Sequence, residues 1–250
     1  LDGDVDYLGR IGLIILLLIA VVLIRKSKRF EKYWQVFLGL LVMATAVSLD
    51  WVFASYLMDS LGVNGKTPLS FALLKLNECV VVVCSVIFLT RISGGSLGSI
   101  YIQKGNLKQG LIIGGIAFFV CVAGSIPMTS LMFKPGDLTF ARIISWIPSI
   151  LISVLANATQ EELLFRGLFL RKLQPFYGKF LSTLLIVFVF TLLHKGISYT
   201  ANDLIFLAVL LPLGLAWGFI MQKTDSVWAS ILFHAGMDIP IMLGIFSNLP

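Results

Sequence analysis

Charge is scarce in this chain. Of its 250 residues only 13% are Asp, Glu, Lys or Arg, while 58% are hydrophobic and the mean hydropathy is +0.96. Soluble domains carry about 25% charged residues, so an ordinary soluble globular protein is excluded. Histidine is almost absent, occurring only as His194 and His234. The three cysteines, Cys79, Cys84 and Cys121, are odd in number, sit inside apolar runs and lack zinc-type spacing. That excludes a disulfide framework and a cysteine metal site, and leaves three small core hydrophobes. There is no His-Glu-x-x-His helix motif, and no linker is long enough to form a second domain.

What is present is a succession of apolar segments. A membrane-crossing helix needs about 20 mainly apolar residues, and eight segments qualify, at approximately 7–24, 33–57, 69–91, 107–132, 141–165, 181–196, 203–222 and 226–246. The fold class expected is therefore all-α, a polytopic membrane helix bundle of about eight helices forming one integral membrane domain over 1–250. The first run has no small-residue cleavage site after it and reads as a retained span, not a signal peptide. Breakers fall between spans at 62–68, 93–98, 134–137 and 174–178.

The net charge of +6 would suggest nucleic acid in a soluble domain. Here the basic residues lie between apolar segments, where they set orientation and meet lipid headgroups, so the bilayer and not a nucleic acid is the expected partner. Five lie between spans one and two, three between three and four, four between five and six (Arg166, Arg171, Lys172, Lys179), and Lys223 between seven and eight. Placing these loops in the cytoplasm puts both termini on the non-cytoplasmic side. The Gly-x-x-x-Gly spacings at Gly110/Gly114 and Gly214/Gly218 read as helix-packing devices. Lys75 and Glu78, three apart on one helix face, read as a structural ion pair.

The stretch hardest to explain as packing is Asn157 to Arg166, which sets two adjacent carboxylates and an arginine in an apolar segment. An intramembrane ionisable group is a functional-site hypothesis by default. Ser145, Ser149, Ser153, Asn157 and Glu161 recur every fourth residue, forming a polar stripe that ends at Glu161 and is read as one wall of a hydrated cavity. Glu162 and Arg166 are four apart and can pair, whereas Glu161 points about 100° away and is left free to act as an acid or base.

Depth supports a common site. Glu161 and His194 each lie 14 residues from the short turn near Pro175 to Phe180, so both are roughly 20 Å deep on antiparallel helices. His234, eight residues into the last span, is about 12 Å deep, and Asp238, four residues on, can orient its imidazole. Two histidines and a glutamate are also a catalytic zinc set, so Glu161, His194 and His234 are the alternative metal ligands and zinc the one candidate cofactor.

The order Glu161-Glu162-x-x-x-Arg166, Phe190-x-x-x-His194 and His234-x-x-x-Asp238 on successive late spans resembles the CPBP family of CAAX proteases and bacteriocin-processing enzymes, over about 141–246. The resemblance implies an intramembrane endopeptidase acting on a membrane-associated protein or peptide. It implies catalytic roles for Glu161, His194, His234 and Asp238, supported by Glu162, Arg166 and Phe190, to which the polar stripe adds Asn157. It also implies a multi-pass protein of a bacterial cell membrane or of the endoplasmic reticulum. The last motif more often ends in asparagine, and an ionised aspartate cannot donate to an oxyanion. A non-proteolytic membrane protein of the same fold, an immunity factor, adaptor or transporter, is the alternative function.

Overall fold

A computed structural model describes residues 3–197, 200 and 202–249. The described residues form eight α-helices: α1 Gly3–Lys26, α2 Trp34–Val52, α3 Pro68–Ile92, α4 Leu107–Met132, α5 Phe140–Glu161, α6 Leu168–Leu193, α7 Asp203–Thr224 and α8 Trp228–Ser247. Two π-helical turns, Phe53–Met58 and Glu162–Gly167, extend α2 and join α5 to α6.

Several helices start where the sequence supplies a cap. Thr67 and Ser70 form a reciprocal capping box ahead of Pro68, and the side chains of Asn106 and Asn202 accept the first free amides of α4 and α7. Apart from α5, whose polar stripe makes it amphipathic, the helices are then carried by apolar runs, as in a bilayer.

Seven continuous helical stretches are long and apolar enough to cross a membrane, and the chain is a multi-pass integral membrane protein. One stretch, Phe140–Leu193, has 54 residues. At 1.5 Å per residue it would span about 80 Å if straight, far more than a bilayer. It does not run straight. Gly178 has φ 70° and ψ 178°, a conformation that favours glycine, and breaks the helix there. The doubling back is shown by Glu161 and His194, which would be about 50 Å apart along one straight helix but approach to 4.0 Å. Counting the hairpin as two gives the eight traverses expected. The break lies at Gly178 and not at Pro175, which stays within the helix. His194, expected inside the sixth span, is instead the residue that caps α6, because Gly196 at φ 81° turns the chain away two residues later.

The last helix is the axis of the bundle: most of α8 is buried, from Ala229 through Ser247. Helix α4 lies close against it. A Cβ at Gly114 would stand 2.8 Å from the Ala229 carbonyl oxygen, so the backbone approach requires glycine. At the other extreme, α1 presents large apolar side chains such as Leu16 and Leu23 at its surface, the pattern of a helix facing lipid.

The connections gather at two ends. At one, Asn106 N donates to Thr224 O at 2.7 Å, Val227 N to Tyr101 O at 3.1 Å and Gln174 Nε2 to the Tyr101 hydroxyl at 3.1 Å, while Tyr33 stacks on Phe176. Arg171 pairs with Asp225 and lies over the Tyr101 ring. Burial pushes the Tyr101 phenol above its ordinary pKa, so the hydroxyl stays protonated there. At the other end, Asn248 Nδ2 donates to Lys134 O at 3.0 Å and Gly136 N to Ser247 Oγ at 2.9 Å, with Phe133 bridged to Thr200.

Candidate active site

Helix α5 delivers Glu161 as its last residue, and the π turn that follows delivers Glu162 and Arg166. A π turn inserts an extra residue and changes the side-chain register. Here both carboxylates reach the same imidazole. His234, six residues into α8, is 2% exposed and lies between them. Its Nδ1 stands 2.8 Å from Glu162 Oε1, and its Nε2 faces Glu161 Oε2 at 3.5 Å.

The neighbours set the direction of each ring. The His194 Nδ1 is 2.8 Å from the Phe190 carbonyl oxygen. A carbonyl can only accept, so Nδ1 carries the proton and Nε2 is turned toward Glu161 Oε1 at 4.0 Å. For His234 the acceptor is Glu162, which again leaves Nε2 for Glu161. Glu161 thus has one carboxylate oxygen toward each histidine, and its Oε2 is buried without a hydrogen bond. Spacing assigned Asp238 the task of orienting His234. In the structure Glu162 does so, and Asp238 Oδ1 lies on the Nε2 side at 3.5 Å, beside Glu161.

Behind this group, Glu162 and Arg166 are completely buried and joined at 2.6 Å. The guanidinium lies 4.7 Å from the Phe190 ring centre and 5.0 Å from that of Trp217, a cation held between aromatic faces. Glu162 also accepts from the Ser230 hydroxyl. Arg166 therefore belongs to the core and not to the cytoplasmic loop with which its basic neighbours were counted. Gly214 makes room for it, since a Cβ there would stand 3.1 Å from Nη2.

A cavity of about 780 Å³ opens over the front of the group. Asn157, Glu161, His194, His234 and Asp238 line it, as do Lys75 and Glu78. Of the polar stripe on α5, only Asn157 and Glu161 reach this cavity. Ser145 faces outward and bonds the Arg142 carbonyl, and Ser149 and Ser153 are buried in helix packing, because the stripe winds about the helix.

Asn157 Nδ2 donates to Asp238 Oδ2 at 3.0 Å. Asp238→Asn is expected to keep the fold, because the Asn157 amide can turn over and accept from the new amide. Asp238→Leu leaves the amide without its acceptor and is expected to cost about 1–3 kcal/mol. Thermal unfolding in detergent distinguishes the two.

Two contributors, Ser230 and Trp217, escaped sequence reasoning. Ser230 is one turn before His234 on the same face, a spacing that would have found it. Trp217 stacks on His234, with ring centres 3.9 Å apart and planes 8° from parallel, and nothing in its local sequence marks it. Lys75 and Glu78 pair at 2.7 Å as expected, with Gln160 Nε2 3.3 Å from Glu78, but the pair also faces the cavity.

Zinc ligands stand about 2.0–2.2 Å from the ion and so converge on one point. Among the described residues no group of three or more His, Cys, Asp or Glu side chains is disposed to hold an ion. A metalloprotease therefore finds no support in this arrangement.

Neither a curated protein nor a solved structure matches the chain. Residues 143–240 match the family model described as type II CAAX prenyl endopeptidase Rce1-like. That segment includes Glu161, Glu162, Arg166, Phe190, His194, His234 and Asp238, and over it the chain is similar to the Rce1-like CAAX proteases.

Proposed function

We propose that the chain is an intramembrane endopeptidase that hydrolyses a peptide bond of a membrane-associated protein or peptide, with Glu161 as the base that activates water. The observation that carries this reading is the Glu161 carboxylate, set in a cavity between the Nε2 atoms of two imidazoles whose other nitrogens are already committed. A carboxylate so placed can take a proton from water while the His194 ring holds the attacking oxygen.

The hydroxide oxygen bonds to the scissile carbonyl carbon, and the carbonyl oxygen becomes an oxyanion. His234, when protonated on Nε2, and the Asn157 amide supply hydrogen bonds to that oxygen from the cavity wall. Collapse breaks the C–N bond, and the proton taken by Glu161 passes to the leaving amine. Glu162 and Arg166 do not touch the reacting atoms. Glu162 fixes the His234 tautomer and Arg166 balances the charge of Glu162.

Wild-type chain reconstituted in liposomes with a membrane-protein fraction is expected to generate new peptide termini. The His194→Ala form should generate them at least about 10²-fold more slowly. Identical terminal-peptide maps from the two forms would overturn the protease reading in favour of a non-proteolytic role.

A further inference from the structure

We infer that the cavity opens on the non-cytoplasmic side of the membrane and that its substrate is a translocated, membrane-anchored polypeptide. The inference rests on the protease reading for the word substrate, but the sidedness itself stands on geometry and charge.

The cavity reaches only one end of the bundle. Beyond the catalytic group it is lined by Lys134, Ile197, Thr200 and Asn248, all in the connections that follow α4, α6 and α8. Those connections are knit together by the Asn248 to Lys134 and Gly136 to Ser247 hydrogen bonds. No residue of the opposite set of connections, which join at Tyr101, Gln174 and Thr224, lines it.

The basic residues divide sharply between the two ends. The end remote from the cavity holds twelve of the nineteen: five from Arg25 to Lys32, three from Arg91 to Lys108, three from Arg171 to Lys179, and Lys223. The cavity end has four, Lys66, Lys134, Arg142 and Lys195, of which Arg142 faces Asp137 at 3.5 Å. The remaining three are Arg10, paired with Asp6 at 3.0 Å within α1, and Lys75 and Arg166 inside the bundle. Lys and Arg in short loops are retained in the cytoplasm, so the twelve-residue end is cytoplasmic and the mouth of the cavity faces the other way. The walls are mostly apolar, with Phe71, Leu210 and Ile241 among them, and fit an extended apolar segment drawn from the outer half of the bilayer.

The test needs no knowledge of the substrate. Cys79, Cys84 and Cys121 are replaced by serine, and single cysteines are placed as Lys134→Cys at the mouth or Lys28→Cys at the far end. With the protein in a bacterial cytoplasmic membrane, a membrane-impermeant maleimide added to intact cells is expected to label the first and to label the second only after permeabilisation. The reverse pattern, or equal labelling of both in intact cells, would overturn the assignment whether or not the protein cleaves anything.

A second arm reads entry. In the termini assay, a bulky maleimide on Lys134→Cys should reduce processing at least tenfold relative to the unlabelled form of the same variant. Unchanged processing would defeat entry through this mouth. Loss of all processing by the unlabelled wild type would instead defeat the protease reading and leave the labelling result standing.

Discussion

Glu161→Gln is expected to lower turnover about 10³-fold while the protein still folds. The amide has nearly the same shape but cannot take a proton from water, and a positioned general base contributes typically 10²–10⁴-fold. Folding should survive because Glu161 has little to lose. Its Oε2 makes no hydrogen bond, and its nearest imidazole nitrogens are 3.5 Å and 4.0 Å away. Glu161→Asp keeps the charge but withdraws it by about one methylene, and misplacement by about 1 Å can cost 10². The expected order is therefore wild type, then aspartate, then glutamine. Turnover on a processed peptide and thermal unfolding in the same detergent are the two measurements. A glutamine variant as active as the wild type would remove Glu161 from the chemistry; one that fails to fold would mean that the carboxylate is structural after all.

The contrast between these neighbouring glutamates also marks what could be read in the chain before its structure. Apolar run length revealed the helices, and counting residues from one short turn put Glu161 and His194 at one depth, where they meet. Such counting works because rise per residue is nearly constant in a helix. It fails where the helix is irregular. The π turn after Glu161 changes which way Glu162 points, and a wheel of 100° steps gives no sign of it. The partner of His234 Nδ1 is therefore not Asp238, one turn along its own helix, but Glu162 on another. Trp217 is brought to the same ring by the crossing of α7 and α8, a tertiary fact with no local signature. Within α6 the break falls at Gly178, inside the expected breaker stretch 174–178, because Gly178 takes the positive φ while Pro175 stays in the helix.

Arg166→Ala should be the most destabilising single substitution in the site. It leaves the Glu162 carboxylate buried with only Ser230 and His234 as partners, and breaking a buried pair from one side typically costs about 3–5 kcal/mol. Against a total stability of about 5–15 kcal/mol, that is enough to reduce folded protein severely. Removing both charges together, as Glu162→Leu with Arg166→Met, should restore most of the stability, because no uncompensated ion remains and the surrounding walls, Phe190 and Trp217, accept an apolar chain. The double variant should nevertheless stay 10–100-fold slower than the wild type, the usual consequence of losing the group that orients a functional histidine. His234 Nδ1 would then have no carboxylate to hold its proton, and Nε2 would no longer be reserved for the cavity. Thermal unfolding and turnover measured on both variants and on the wild type separate the two roles of Glu162. An Arg166→Ala protein as stable as the wild type would refute the buried pair as a structural element, and a fully active double variant would refute Glu162 as the residue that positions His234.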